Sequence, residues 1–118
     1  DMASCSRKVH PDSASLFNAV CGKWKWTKRS NYQDNTTLKA DKNLTIQLTS
    51  NGNFTMYENY APTVTGTWKL RFYESQSFLL ETSPYSEFLK GLVFVCDKEL
   101  VVNNSYLDGT DYLYTREN

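Results

Sequence analysis

Strict alternation of bulky and charged side chains limits this chain to extended structure. In CGKWKWTKRS, residues 21–30, Trp24, Trp26 and Lys28 fall on one side of an extended backbone, and Lys23, Lys25, Thr27 and Arg29 fall on the other. A strand with one face on a core and one face in water reads this way. A helix would scatter the same tryptophans and lysines around its axis. The pattern recurs in NLTIQLT, which directs Leu44, Ile46 and Leu48 inward, and in NFTMYENY, which groups Phe54, Met56, Glu58 and Tyr60. VTGTWKLRF sets Val64, Gly66, Trp68, Leu70 and Phe72 against Thr65, Thr67, Lys69 and Arg71. With SFLLET, FLKGLVFVC, ELVVN and TDYLYTR, the expected total is about eight strands.

The connection TSNGNF fixes a register. A two-residue Asn51-Gly52 loop sets Leu48 opposite Thr55 and mixes the faces. A three-residue loop, Ser50-Asn51-Gly52, with glycine in the left-handed conformation pairs Leu48 with Phe54 and keeps both inward. One short helix is expected in DSASLFNAV, capped by Asp12 or Ser13, with Leu16, Phe17 and Val20 as its apolar face. Hairpin spacing with so little helix leaves a sandwich or a closed barrel, and closure removes exposed edges. The expected fold is therefore all-β, an up-and-down antiparallel barrel. At 118 residues the chain fills one domain and is too short for two ordinary ones. The barrel is placed at residues 15–118, and residues 1–14, which lack periodicity, read as a tether.

Charge and composition narrow the function classes. Lys plus Arg and Asp plus Glu both number 13, so no net field draws in nucleic acid or acidic lipid. No run reaches the roughly 20 apolar residues of a membrane-spanning helix. The sole histidine, His10, sits in the tether, so the barrel has no histidine-based triad or metal cluster. Cys5, Cys21 and Cys96 have no zinc-motif spacing. Asp108 and Asp111 offer too few oxygens for a calcium loop, and Asp108-Gly109 reads as a turn. No catalytic residues, metal or cofactor are assigned, and the chain is expected not to be an enzyme. Sequons at Asn35, Asn43, Asn53 and Asn103 mark polar surface positions and would be glycosylation acceptors only in a eukaryotic secretory pathway.

Four pieces carry a resemblance: Gly22-Lys23-Trp24 with Trp26, the NGNF hairpin, GTWKL, and Asp108-Gly109 followed by Tyr112, Tyr114 and Arg116. In this order over about residues 16–118, the chain resembles the lipocalin-like, calycin-type domains of Bacteroidetes-type bacterial lipoproteins. The resemblance implies that Trp24 stacks on Arg116 at the closed end, joining the first strand to the last. TKRSNYQD stands where relatives often carry a glycine pair, which leaves the first loop's shape open. MASCS is similar to a lipobox, which would make Cys5 a lipid-anchored N-terminus and the only membrane contact. That implies the periplasmic face of an outer membrane, or the cell surface. The other reading is an incidental cysteine in a tail. Strands alternating from a closed base bring Cys21 and Cys96 to one end, as a disulfide in an exported protein or as two separate thiols.

Two functions follow. In the first, the barrel is a non-enzymatic module holding a small apolar or amphipathic ligand. Trp26, Met56, Trp68, Leu80, Phe94 and Tyr112 line its interior, and Lys28 orients the ligand or pairs internally with Glu58; the alternative leaves both charges solvated. In the second, the interior is filled and the barrel is an interaction or scaffolding lipoprotein acting through its mouth loops. Those loops bear Tyr32, Tyr60, Tyr85, Phe88, Tyr106 and Leu107, and these groups either admit a ligand or plug the mouth.

Overall fold

The computed structural model describes residues 12–31, 36–107 and 109–117. Cys5, His10, Tyr32, Asn35 and Asp108 lie outside the described residues, as does the tether before Asp12. Helix α1, Ser13–Val20, comes first, and the Asp12 side chain accepts the Ser15 N–H at 2.7 Å to cap it. Leu16 and Val20, four residues apart and so on one face, are buried in the barrel core. Among the described residues nine antiparallel strands follow. β1 (Gly22–Asn31), β2 (Thr36–Lys39), β3 (Leu44–Leu48), β4 (Asn53–Glu58) and β5 (Ala61–Glu74) lead into β6 (Ser77–Ser83), β7 (Gly91–Cys96), β8 (Glu99–Asn103) and β9 (Thr110–Glu117).

Neighbours pair in sequence order from β3 to β9, and β9 returns to β1 from Lys23↔Glu117 to Asn31↔Thr110. The sheet is thus a closed eight-stranded barrel with one extra strand. β2 is that addition: β3 takes the edge of β1 at Gly22–Lys25, and β2 takes it at Lys28–Asn31. The Ala40 N–H donates to the Thr27 carbonyl at 2.8 Å where one strand gives way to the other. At the β3–β4 turn Leu48 pairs with Phe54 and Gly52 has φ +86°. This is the three-residue loop that the apolar pattern requires.

The barrel closes on a single junction. Trp24 is 0% exposed, and its indole N–H donates to the Val20 carbonyl at 2.8 Å. Arg116, paired with Trp24 across β1–β9, places its Cζ 4.1 Å from the Trp24 ring centroid. Its guanidinium donates to the carbonyls of Cys21 (3.1 Å) and Ala19 (2.9 Å). The last carbonyls of a helix lack partners within it and carry partial negative charge, so a cation here meets two needs together. Gly22, at φ +144°, makes room, since a Cβ there would lie 2.5 Å from Arg116 Nη1.

Three expectations need correction. Lys28 does not point inward. The β1–β9 register shifts between Trp26 and Lys28, so Thr27 is an extra residue, and Lys28 pairs with outward-facing Leu113 and is exposed. Phe94 also faces outward. Val93 and Val95 join the main core, while Phe94 packs with Val101, Leu113 and Cys96 in a separate cluster. GLVFVC is apolar on both faces, so alternation could not choose between them. Cys21 and Cys96 are not bridged to each other: Cys21 is a free thiol, whereas Cys96 is in a disulfide. Burial pushes the Cys21 thiol up, partly offset by Arg116.

Replacing Arg116 by Ala removes a stacked cation and two charge-assisted hydrogen bonds, a loss of roughly 2–4 kcal/mol. Urea unfolding checks this, and Arg116→Lys should recover less than half the loss, because an ammonium cannot fork to two carbonyls while stacking. Gly22→Ala should destabilise in the same direction.

Candidate functional site

The axis of the barrel is occupied by its own side chains. Trp26, Met56, Trp68, Leu80 and Tyr112 are all buried in one continuous core with Trp24, Phe54 and Tyr114. At the mouth, the segment between β6 and β7 turns in through a 3-10 turn, Glu87–Leu89, with Leu89 fully buried. The Phe88 ring meets Trp26 edge-on with centroids 5.1 Å apart and lies 4.9 Å from Tyr112. Such tilted aromatic pairs favour a fixed arrangement over a loose one. Lys42 covers the outer face of this group, with Nζ 5.0 Å from the Phe88 centroid. Phe88 is thus a plug.

The charged pair expected inside lies at the rim and has a different partner. Glu58 accepts from Lys42 at 3.0 Å, with both side chains substantially exposed. The bulge that turns Lys28 outward instead sets Arg29 opposite Tyr112, on the inner face. There Arg29, Asn31, Thr36, Leu38 and Thr110 line a shallow hollow of about 200 Å³.

A larger space opens in the flank of the barrel. β5 and β6 are paired from Thr67↔Ser83 to Glu74↔Ser77, but β6 and β7 share only Leu79↔Leu92 and Leu80↔Gly91. Beyond Gly91 the wall lacks its ladder, and a cleft of about 650 Å³ is lined by Trp68, Lys69, Glu81, Thr82, Tyr85 and Lys90, with Thr67 and Ser83. Pockets for small ligands commonly run ~300–1,000 Å³. Trp68 is the apolar base of this cleft and is held rigidly. Its indole N–H donates to the Thr49 carbonyl at 3.0 Å, and its ring stacks on Phe17 of α1 at 4.3 Å and 14°.

The polar groups of the cleft are unequal in charge. Glu81 bonds to Arg71 at 3.0 Å, and that hydrogen bond, with the charges of Arg71 and Lys69, holds its carboxyl below the usual range. With Glu81 so engaged, Lys69 and Lys90 leave the cleft with surplus positive charge. A second hollow of about 250 Å³ lies beyond Tyr85 and Lys90, which line both spaces. Asn104 braces it, donating its amide to the carbonyls of Lys90 (2.8 Å) and Thr110 (3.0 Å).

Of the residues proposed from sequence as ligand contacts, Trp68 alone lines this cleft. Trp26, Met56 and Leu80 are packed in the core, Tyr112 borders only the second hollow, and Lys28, Glu58 and Phe94 lie at the surface or rim. Lys69, Glu81, Thr82 and Lys90 were missed. The alternation that marks β5 and β6 contains no sign that β6 parts from β7. No family model, curated protein or solved structure matches the chain.

The plug is anchored by the hydroxyl of Tyr114. Tyr114 donates its hydroxyl to the Phe88 carbonyl at 2.7 Å, and complete burial raises its pKa well above the ordinary 10. The unfolded chain therefore releases this proton at lower pH than the folded chain. The stability associated with the neutral phenol is complete below pH 10 and is lost as pH rises towards the folded pKa. Urea titrations between about pH 9 and 11 should show a steep fall in stability, shallower in Tyr114→Phe. At neutral pH that variant should lose about 1 kcal/mol, the worth of one hydrogen bond.

Proposed function

We propose that this barrel is a non-catalytic binding module for a small amphipathic anion, held in the flank cleft and not along the axis. The apolar part of the ligand lies on Trp68, and its anionic group meets Lys69 and Lys90. The observation that carries this reading is the cleft itself, of ligand size, with a fixed indole at its base. The resemblance to lipocalin-like domains supports a binding role for a barrel of this architecture, with the site shifted because the axis is filled. The Cys96 disulfide supports an oxidising, extracytoplasmic location.

A second reading rests on a different observation. The interior is plugged and several large side chains are exposed, namely Tyr60, Phe72, Tyr85 and Leu107. A filled barrel of this kind would serve as a protein-interaction or scaffolding module through its loops.

Titration with dodecanoate, followed by tryptophan emission, separates the two. The first reading expects a saturable change that Trp68→Phe abolishes and Trp26→Phe preserves. It also expects affinity to fall about tenfold when Lys69 and Lys90 are both replaced by Gln, a loss near 1.4 kcal/mol. A response lost with Trp26→Phe and retained in Trp68→Phe would move the ligand to the axis. No response to dodecanoate, or to dodecanol as its uncharged counterpart, would leave the interaction module.

A further inference from the structure

β5 outruns one of its two neighbours. Its pairs with β4 end at Asn53↔Thr67, whereas its pairs with β6 continue to Glu74↔Ser77. Past Thr67, among the described residues, the β4 side of β5 makes one backbone bond, from the Trp68 N–H to the Gly52 carbonyl at 2.8 Å. That bond fixes the direction of the groups that follow. In an antiparallel ladder the backbone groups of successive residues point alternately to the two neighbouring strands. Leu70 and Phe72 therefore turn their N–H and C=O the same way as Trp68, to the side where β4 has ended. Among the described residues, no backbone group bonds to either of them there.

This free edge carries an alternating pattern. Leu70 and Phe72 present apolar side chains on the inner face, and Phe72 is 60% exposed, with Phe78 edge-on to it at 5.9 Å. Lys69 and Arg71 alternate with them on the outer face, and both are exposed. One carboxylate serves the two cations: Glu81, paired across from Lys69, bonds to Arg71 at 3.0 Å. Glu74 stands past a bulge that follows Phe72, at the tip of the hairpin. The outer face of the edge thus keeps surplus positive charge beside Leu70.

We infer that the Leu70–Phe72 edge is a docking site for an extended segment of a partner protein, added as a further antiparallel strand, whose side chains alternate between apolar and acidic. Its backbone would complete the open N–H and C=O groups, its apolar groups would extend the Leu70, Phe72 and Phe78 surface, and its carboxylates would face Lys69 and Arg71. Unpaired sheet edges accept strands in this way, with affinity from the main chain and selectivity from alternate side chains. A second copy of this chain is a poorer occupant. The antiparallel register that pairs Leu70 with Phe72 sets Arg71 against Arg71, and the register that pairs Leu70 with Leu70 sets Arg71 against Lys69. Like charges directly opposite are destabilising. The site is separate from the flank cleft, which opens where β6 parts from β7, on the other side of the β5–β6 ribbon. Either can fail without the other.

A fluorescein-labelled peptide of alternating valine and glutamate, added to the full chain, tests this by anisotropy and by amide hydrogen exchange. The expected result is saturable binding that slows exchange at the Leu70 and Phe72 amides at least about tenfold. Methylating the valine nitrogens, which face the edge in an antiparallel pairing, should weaken binding at least about tenfold, while methylating the glutamate nitrogens should leave it nearly unchanged. A peptide of alternating valine and lysine should bind at least about tenfold more weakly. Binding that protects Thr82 and Lys90 but not Leu70 and Phe72 would place the peptide in the flank cleft and overturn the docking edge. Protection of Leu70 and Phe72 without peptide, growing with protein concentration, would make a second copy the occupant and overturn the acidic partner. Absence of binding, or equal binding of the lysine peptide, would also overturn it.

Discussion

Everything in this fold depends on the seam between its first and last strands, where Arg116 lies over Trp24 and grips the end of α1. An up-and-down sheet has two edges, and a barrel exists only if those edges find each other. Backbone pairing between β1 and β9 supplies the ladder, but every antiparallel pair in the molecule offers the same hydrogen bonds. The seam is distinguished by its side chains. One guanidinium stacks on a buried indole and occupies two carbonyls that the helix cannot use, while the indole N–H takes a third. Helix, first strand and last strand are thereby joined at one point, and Gly22 is the residue that leaves room for it.

That closure determines where a ligand can go. With eight strands a barrel has just enough width for its own side chains to fill it, and here large rings do so. Trp26, Tyr112 and Phe88 complete the packing at the mouth. Space appears instead where the wall is weakest, between β6 and β7, whose ladder has two residue pairs. The same parting that costs backbone hydrogen bonds creates a cleft with an indole at its base and lysines on its border. Structure and proposed function are linked through this one incomplete pairing.

Much of the fold was legible in the chain. Alternation around Trp24, Trp68 and Ile46 gave strands with the correct inward faces, and the need to keep Leu48 and Phe54 together gave the turn. The Trp24–Arg116 contact was implied by resemblance, not by spacing. The failures have physical causes. A single extra residue at Thr27 reverses every face assignment after it on β1, which is why Arg29 and not Lys28 shares a face with Tyr112. In GLVFVC both faces are apolar, so period two conveyed nothing about Phe94. The flank cleft was invisible for a third reason. It arises because β6 and β7 part beyond Leu80 and Gly91, and alternation within either strand does not record which neighbours stay paired.

The central claim is that the axis is packed and binding occurs in the flank. Amide and side-chain chemical shifts recorded during a dodecanoate titration test it most directly. The account predicts shifts confined to Thr67, Trp68, Lys69, Glu81, Thr82, Ser83, Tyr85 and Lys90, with Trp26, Met56 and Tyr114 unmoved. Shifts centred on Trp26, Met56 and Phe88, with the flank silent, would contradict it.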